Sequence, residues 1–130
     1  HAQKYGVILG VQHHADMLRT ADETIELIEM VGSPWVGVIL DTGNLMSEDP
    51  YEDMNKLMPY VVGWQLKESV FGWDLTEKID LDKIMQIVLK HNYRGYLPVE
   101  TLNTGTRKYN PYEIVPQFIA EVRQAICSAM

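Results

Sequence analysis

Four polar residues follow apolar, strand-like stretches of this chain, and their types suit metal-assisted acid–base chemistry. They are Gln12, Asp41, Gln65 and Glu100. The separation between successive members is close to the length of one strand–helix unit, which is roughly 30 residues. Because neighbouring parallel strands lie about 4.8 Å apart, these ends can converge on one ion or one substrate. Two carboxylates and two amides offer oxygen ligands, which favour Mn²⁺ or Mg²⁺ and leave Zn²⁺ as the less favoured metal.

The clearest of the strand-like stretches is the run Val36–Leu40, which ends in Asp41 and a Thr-Gly-Asn turn. A stretch that is apolar on both faces is typical of a strand buried in a parallel sheet. Similar patterns predict strands over residues 5–11, 35–40, 61–66 and 96–99. Enzymes of the α/β class keep their chemistry at the carboxyl ends of such strands, which is where Asp41 and Glu100 stand.

Capping patterns predict a helix after each strand. Thr20 and Glu23 form a capping box, and Gly32 is expected to end that helix. Further helices are predicted to begin at Asp49-Pro50, at Asp80 and at Asn110-Pro111. Strands that alternate with helices imply right-handed crossovers and a parallel sheet. We therefore expect one α/β unit over residues 1–130, a (βα)4 arrangement with no internal linker.

Composition excludes two classes of partner. The net charge of −7 argues against non-specific nucleic-acid binding, which needs a cationic surface. No apolar run approaches the roughly 20 residues of a membrane span, so we expect no membrane contact. The single cysteine, Cys127, excludes an internal disulfide and fits a reducing, cytoplasmic location.

The strand ends carry motifs that resemble those of the xylose-isomerase-like barrels. The likeness rests on VQHH at 11–14, LDTGN at 40–44, WQLKE at 64–68 and PVE at 98–100. It spans essentially the whole chain and implies the carboxyl-terminal half of a (βα)8 TIM barrel, whose last four strands each carry one metal ligand. The superfamily holds sugar-phosphate isomerases and epimerases, inosose dehydratases and the endonuclease IV group.

The resemblance implies a role for each matched residue. The implied metal ligands are Gln12, Asp41, Gln65 and Glu100. Glu100 is also the implied base, and His14 matches the family's histidine as a second acid–base and substrate-binding group. Asn44, which replaces a family histidine, is an implied substrate-binding residue. Lys67 matches the family's lysine and could bind a phosphate or a hydroxyl group, with a solvated charge at a strand end as the alternative. The endonuclease activity is not expected, because the additional histidines of its three-metal site are absent and the net charge has the wrong sign.

Two ligand positions depart from the family pattern. Gln12 stands where the family has glutamate, which removes a charge and a potential base. Gln65 stands where it has histidine, which weakens any preference for zinc. We interpret these departures as the mark of a variant site rather than as proof of an inactive one.

Other residues are candidates on their own chemistry. Arg107, in the loop after the last strand, could hold an anionic substrate, with a solvated loop as the alternative. Trp64 and Trp73 could stack on a sugar ring, although core packing is favoured for Trp64. His13 is expected to point away from His14, because adjacent strand residues face opposite sides.

The implied function is a divalent-metal-dependent isomerase or epimerase of a small carbohydrate. The metal polarises a carbonyl or hydroxyl pair, and a carboxylate moves the proton on the adjacent carbon. The alternatives are a dehydratase or glycoside-cleaving lyase of the same superfamily, and a non-catalytic half-barrel for assembly or sugar binding.

Four strand–helix units do not close an eight-stranded barrel, and they leave two open sheet edges. We therefore expect this chain, which begins at His1 rather than methionine, to be a fragment or a separate subunit. The expected partner is an amino-terminal half-barrel chain or a second copy of this one. A flavodoxin-like open sheet is the alternative fold, but no Gly-rich phosphate loop follows the first strand.

Overall fold

The computed structural model describes residues 1–14, 16–69, 77–103, 105 and 107–130. Within these residues strands and helices alternate four times. They are β1 (Leu9–Gln12), α1 (Ala21–Val31), β2 (Val36–Asp41), α2 (Pro50–Leu57), β3 (Val61–Lys67), α3 (Leu81–Lys90), β4 (Val99–Glu100) and α4 (Pro111–Ala129). The strands are parallel and lie in the order β1-β2-β3-β4, so each pairs with the next along the chain. The predicted α/β unit of four strand–helix repeats is confirmed.

The helices begin at the predicted capping residues. Thr20 Oγ1 accepts a hydrogen bond from the Glu23 amide at 3.3 Å, and the Glu23 carboxylate accepts one from the Thr20 amide at 3.1 Å. Asp49, Asp80 and Asn110 cap α2, α3 and α4 through their side chains. These caps satisfy first-turn amides that have no partner inside the helix.

The strand boundaries differ from the predicted ones, most of all at the two sheet edges. β1 begins at Leu9 rather than Tyr5, because residues 2–5 form a 3₁₀ turn that ends at Gly6 in a left-handed conformation with φ of 66°. β4 covers only Val99–Glu100, and the side chain of Tyr96 is exposed. The predictions of strands over residues 5–11 and 96–99 are therefore wrong at their amino-terminal ends. In the described sheet an edge strand pairs on one side only, so fewer hydrogen bonds hold its backbone in an extended conformation.

The core lies between one face of the sheet and the helices. Its buried side chains include Ile28, Val38, Leu40, Leu45, Met54, Leu57, Trp64, Leu66, Ile84, Ile87, Phe118 and Val122. Trp64 is buried there and packs against Tyr93, which confirms its predicted packing role. In the described part of the chain no helix is long and apolar enough to cross a membrane.

The opposite face of the sheet is uncovered, and it is shallow because side chains lie along it rather than project from it. A Cβ atom at Gly10 would lie 2.5 Å from Ile39 Cγ1, and one at Gly37 would lie 2.4 Å from Val62 Cγ1. The side chains of Ile39 and Val62 therefore lie flat across neighbouring glycines. Gln12 pairs in register with Ile39, and alternate strand residues share a face, so the polar strand ends project from this open side.

Asp53 of α2 fixes the start of α1. Its buried carboxylate accepts a hydrogen bond from the Ala21 amide at 2.9 Å. Replacing Asp53 by alanine is expected to lower the free energy of unfolding by about 1–3 kcal/mol, because it leaves that buried amide without an acceptor. Urea denaturation measures the loss. The control is Glu26→Ala, at an exposed position of α1, which should change stability by at most about 0.5 kcal/mol. Equal losses in the two variants would contradict the assignment.

Candidate functional site

The four polar strand ends lie side by side in one hydrogen-bonded group, named here the rim cluster (Gln12, Asp41, Gln65 and Glu100). Gln12 Nε2 donates hydrogen bonds to Asp41 Oδ2 and to Gln65 Oε1, both at 2.7 Å. Gln65 Nε2 donates in turn to Glu100 Oε2. The residues expected to be metal ligands are thus neighbours, and their role as ligands stays a prediction.

Asp41 is the most enclosed member of the rim cluster, with an exposed fraction of 0%. Its Oδ1 accepts a hydrogen bond from the Gly43 amide at 3.0 Å, and its Oδ2 accepts one from Asn44 Nδ2 at 2.8 Å. The Thr-Gly-Asn turn therefore folds back on the carboxylate and holds it in one orientation. Asn44, predicted to bind substrate, is itself buried against Asp41.

Lys67, the last residue of β3, directs its ammonium group at both carboxylates of the rim cluster. Nζ lies 3.1 Å from Asp41 Oδ2 and 3.8 Å from Glu100 Oε2, and the lysine side chain is only 12% exposed. Salt screens such a partly buried group much less than it screens surface charges. Lys67 was predicted to bind substrate, and in this structure it binds the carboxylates.

Two residues of the turn after β2 position Lys67, and sequence reasoning gave neither of them a role. Thr42 Oγ1 accepts a hydrogen bond from the Lys67 amide at 2.8 Å. At Gly43 a Cβ atom would lie 2.4 Å from Lys67 Cδ, so the absence of a side chain lets the lysine stem cross the turn. The LDTGN motif itself is the signal that could have indicated them.

His13 lies buried behind the backbone of Asp41. Its Nε2 accepts a hydrogen bond from the Asp41 amide at 3.1 Å. Burial lowers the pKa of His13 to about 4 against the opposing effect of the Asp41 charge, so the ring is neutral at pH 7. The proton of the neutral ring therefore sits on Nδ1, which has no hydrogen-bond partner among the described residues. His13 supports the backbone that carries Asp41, a role that its sequence position did not reveal.

The side chain of His14 is largely exposed, and its described contact is with Asp16. The exposed fraction of the histidine side chain is 66%, and its Nδ1 lies 3.3 Å from Asp16 Oδ1. The two histidines thus point in different directions, as expected for adjacent residues. The described contacts do not join His14 to the rim cluster, and its acid–base role stays a prediction.

Arg107, predicted to hold an anionic substrate, is paired with Glu68. Its Nη1 donates to Glu68 Oε1 at 3.0 Å, and its Nη2 donates to Oε2 at 2.5 Å. These bonds raise the pKa of the guanidinium group above its ordinary value. The pair ties the loop after β4 to the end of β3. Trp73, the predicted stacking residue, lies outside the described residues.

The rim cluster offers a donor set without nitrogen or sulfur ligands. Among the residues that the structure describes, no three histidine, cysteine, aspartate or glutamate side chains form a group that could hold a metal ion. Any cation at this position would therefore depend on amide oxygens in addition to the two carboxylates. Such an all-oxygen set suits a hard divalent ion.

Solved structures of sugar epimerases share this fold. L-Ribulose 3-epimerase superimposes with a TM-score of 0.81 at 20% identity, over 98% of this chain and 50% of that one. A xylose isomerase domain protein from Planctomyces limnophilus gives 0.72 at 19% identity, over 98% and 49%. The 3-keto-D-glucoside 4-epimerase YcjR from E. coli gives 0.75 at 15% identity, over 95% and 48%. This chain spans about half the length of each.

Sequence comparison identifies the family. A search of curated protein sequences gives no match to this chain. The family model described as "Xylose isomerase-like TIM barrel" matches residues 1–122, which is nearly the whole chain. The matched region contains all four strands and the complete rim cluster. The chain therefore belongs to the xylose isomerase-like TIM barrel family.

Proposed function

We propose that this chain is the carboxyl-terminal half of a divalent-metal-dependent sugar isomerase or epimerase. The observation that carries the proposal is the rim cluster, in which four strand ends of a barrel of this family contact one another. The similarity to two sugar epimerases supports a carbohydrate substrate. A cytoplasmic location stays a prediction.

The donor set of the rim cluster fits a hard divalent cation. Asp41 and Glu100 would hold it through carboxylate oxygens, and Gln12 and Gln65 through amide oxygens. An amide side chain carries its oxygen and nitrogen on the same group, so a half-turn of that group exchanges donor for acceptor. When bound, Mn²⁺ or Mg²⁺ supplies Lewis-acid polarisation of a carbonyl or hydroxyl group of the substrate.

Glu100 is the proposed base. Its side chain is 30% exposed, whereas Asp41 is enclosed and accepts hydrogen bonds on both oxygens. Glu100 is therefore the carboxylate that can reach a carbon atom of a substrate above the rim. It would take the proton from the carbon next to the polarised group, which is the step that isomerisation and epimerisation share.

Epimerisation also needs a proton delivered to the opposite face of that carbon. His14 is the proposed second acid–base group, because its exposed ring can turn away from Asp16 toward a substrate. Lys67 and Asn44 would offer N–H donors to a hydroxyl-rich substrate in exchange for the Asp41 carboxylate, their present partner. Arg107 would bind an anionic substrate group in exchange for Glu68, its present partner.

We propose that an amino-terminal half-barrel completes the site. At the edge of β1 the side chains of Val7, Ile8 and Leu9 are half-exposed. At the opposite edge of the sheet a groove of about 510 Å³ runs between β4 and α4. Its apolar lining includes Tyr96, Leu97, Val99, Ile119, Val122 and Ile126. Closing a barrel covers both edges. A second copy of this chain is the alternative partner.

Binding and removal of Mn²⁺ test the proposed function. The chain, together with the half-barrel that completes it, is expected to bind Mn²⁺ and to exchange the proton at C3 of a ketose or at C2 of a sugar acid in deuterated water. Chelation by EDTA should stop the exchange, and added Mn²⁺ should restore it. NMR follows the exchange directly. A chain that binds no metal under excess Mn²⁺ would contradict metal dependence, and loss of water from the substrate would indicate a lyase instead.

A second candidate function is a metal-free half-barrel for assembly or sugar binding. It is favoured by Lys67, whose ammonium already offsets charge on both carboxylates of the rim cluster. Sugar binding that is unaffected by EDTA, without proton exchange, would support this candidate over the enzyme.

A further inference from the structure

The ammonium group of Lys67 lies against the carboxylate oxygens that would hold a divalent cation. Its Nζ is 3.1 Å from Asp41 Oδ2, the same oxygen that accepts hydrogen bonds from Gln12 and Asn44. It is also the cation nearest to Glu100 among the described ion pairs, at 3.8 Å. An ammonium group has three N–H donors and no lone pair, so it cannot serve as a metal ligand. Lys67 would therefore compete with a bound metal for these oxygens.

The turn after β2 is shaped to hold the lysine in this position. The Lys67 amide is anchored on Thr42 Oγ1 at 2.8 Å, so the stem begins at a fixed point. The stem then crosses Gly43, where a Cβ atom would lie 2.4 Å from Lys67 Cδ and 3.3 Å from its Cβ and Cγ. Any side chain at residue 43 would displace the lysine stem.

We propose that Lys67 is a built-in counter-ion of the rim cluster, which fills the cation position until its ammonium group moves away and a divalent cation takes its place. The inference rests on the proposed function, because it takes the rim cluster as the metal site. Two carboxylates without any cation would repel each other, and a metal beside the ammonium would be repelled as well. Occupation by one of the two cations at a time satisfies both conditions.

The test compares Mn²⁺ affinity by calorimetry in wild type and Lys67→Met. Methionine keeps the apolar stem but carries no charge, so Lys67→Met is expected to bind Mn²⁺ at least ~10-fold more tightly. Lys90→Met, at the exposed end of α3, changes the net charge equally and should bind Mn²⁺ as wild type does. Circular dichroism checks that each variant is folded.

Gly43→Ala is the second variant, because it keeps every charge and moves only the lysine stem. It should also tighten Mn²⁺ binding, and it decides the question if Lys67→Met fails to fold. Unchanged or weaker binding by the folded variants, in a chain whose wild type binds Mn²⁺, would overturn the counter-ion inference and leave the metal site intact. Absence of binding in wild type and variants alike would overturn the metal site and the inference with it.

Discussion

Replacing Asp41 by asparagine is expected to abolish Mn²⁺ binding and to lower the free energy of unfolding by about 3 kcal/mol. Asp41 is fully enclosed, and its carboxylate accepts hydrogen bonds from the Gly43 amide, Asn44 and Gln12. Asparagine has the same shape but replaces one acceptor oxygen by an NH₂ donor, so the loss reports on charge and hydrogen-bond acceptance rather than on volume. Without that charge, the poorly exposed ammonium of Lys67 keeps only the more distant Glu100.

Two measurements check the Asp41→Asn prediction. Calorimetry with Mn²⁺ should show no binding, and urea denaturation should show the loss of stability. The control is Asp82→Asn in the first turn of α3, an exposed aspartate whose removal should cost at most about 1 kcal/mol. Wild-type Mn²⁺ affinity in Asp41→Asn would remove Asp41 from the proposed ligand set.

Replacing Glu100 by glutamine is expected to slow proton exchange on the substrate by about 10²–10⁴-fold, the usual contribution of a general base. Glutamine keeps an oxygen that can face a cation and keeps a partner for Gln65. It cannot accept a proton at neutral pH. At saturating Mn²⁺ the expected signature is therefore retained metal binding with lost exchange.

Exchange in deuterated water, followed by NMR, measures the effect of Glu100→Gln. Glu113→Gln is the matched control, because Glu113 is an exposed glutamate in the first turn of α4 and should keep wild-type exchange. Glu100→Asp retains a carboxylate but shortens the reach, so an intermediate rate is expected. If Glu100→Gln keeps more than about a tenth of the wild-type rate, another group is the base.

The helices and the gathering of the strand ends could be predicted because both depend on local pattern. Thr20 and Glu23 satisfy each other's amides within three residues, so four consecutive residues are enough to predict the start of α1. Asp41 follows a buried apolar run, and parallel pairing then places its neighbours at the same rim. The edge strands were predicted to be too long. The length of an edge strand depends on how it pairs with its neighbouring strand, and a local sequence pattern contains no information about that pairing.

The partners of the charged groups could not be predicted, because they depend on three-dimensional contacts. Arg107 pairs with Glu68 across a large sequence separation, and Lys67 reaches Asp41 only because Gly43 leaves room for its stem. His13 is buried although it stands beside an exposed histidine. Such pairings require knowledge of where each side chain points, which residue type and spacing do not contain.

The shallow, uncovered face of the sheet restricts the kind of partner that can complete the barrel. Gly10 and Gly37 carry no side chains, and Ile39 and Val62 lie flat across them. The interior of a TIM barrel is filled by layers of bulky inward side chains from alternate strands. Two identical copies of this half would set one shallow surface against another and leave unfilled volume, which is destabilising. Under the proposal that another half-barrel completes the site, this shape favours a partner of different sequence, one whose inward side chains are large where these are small.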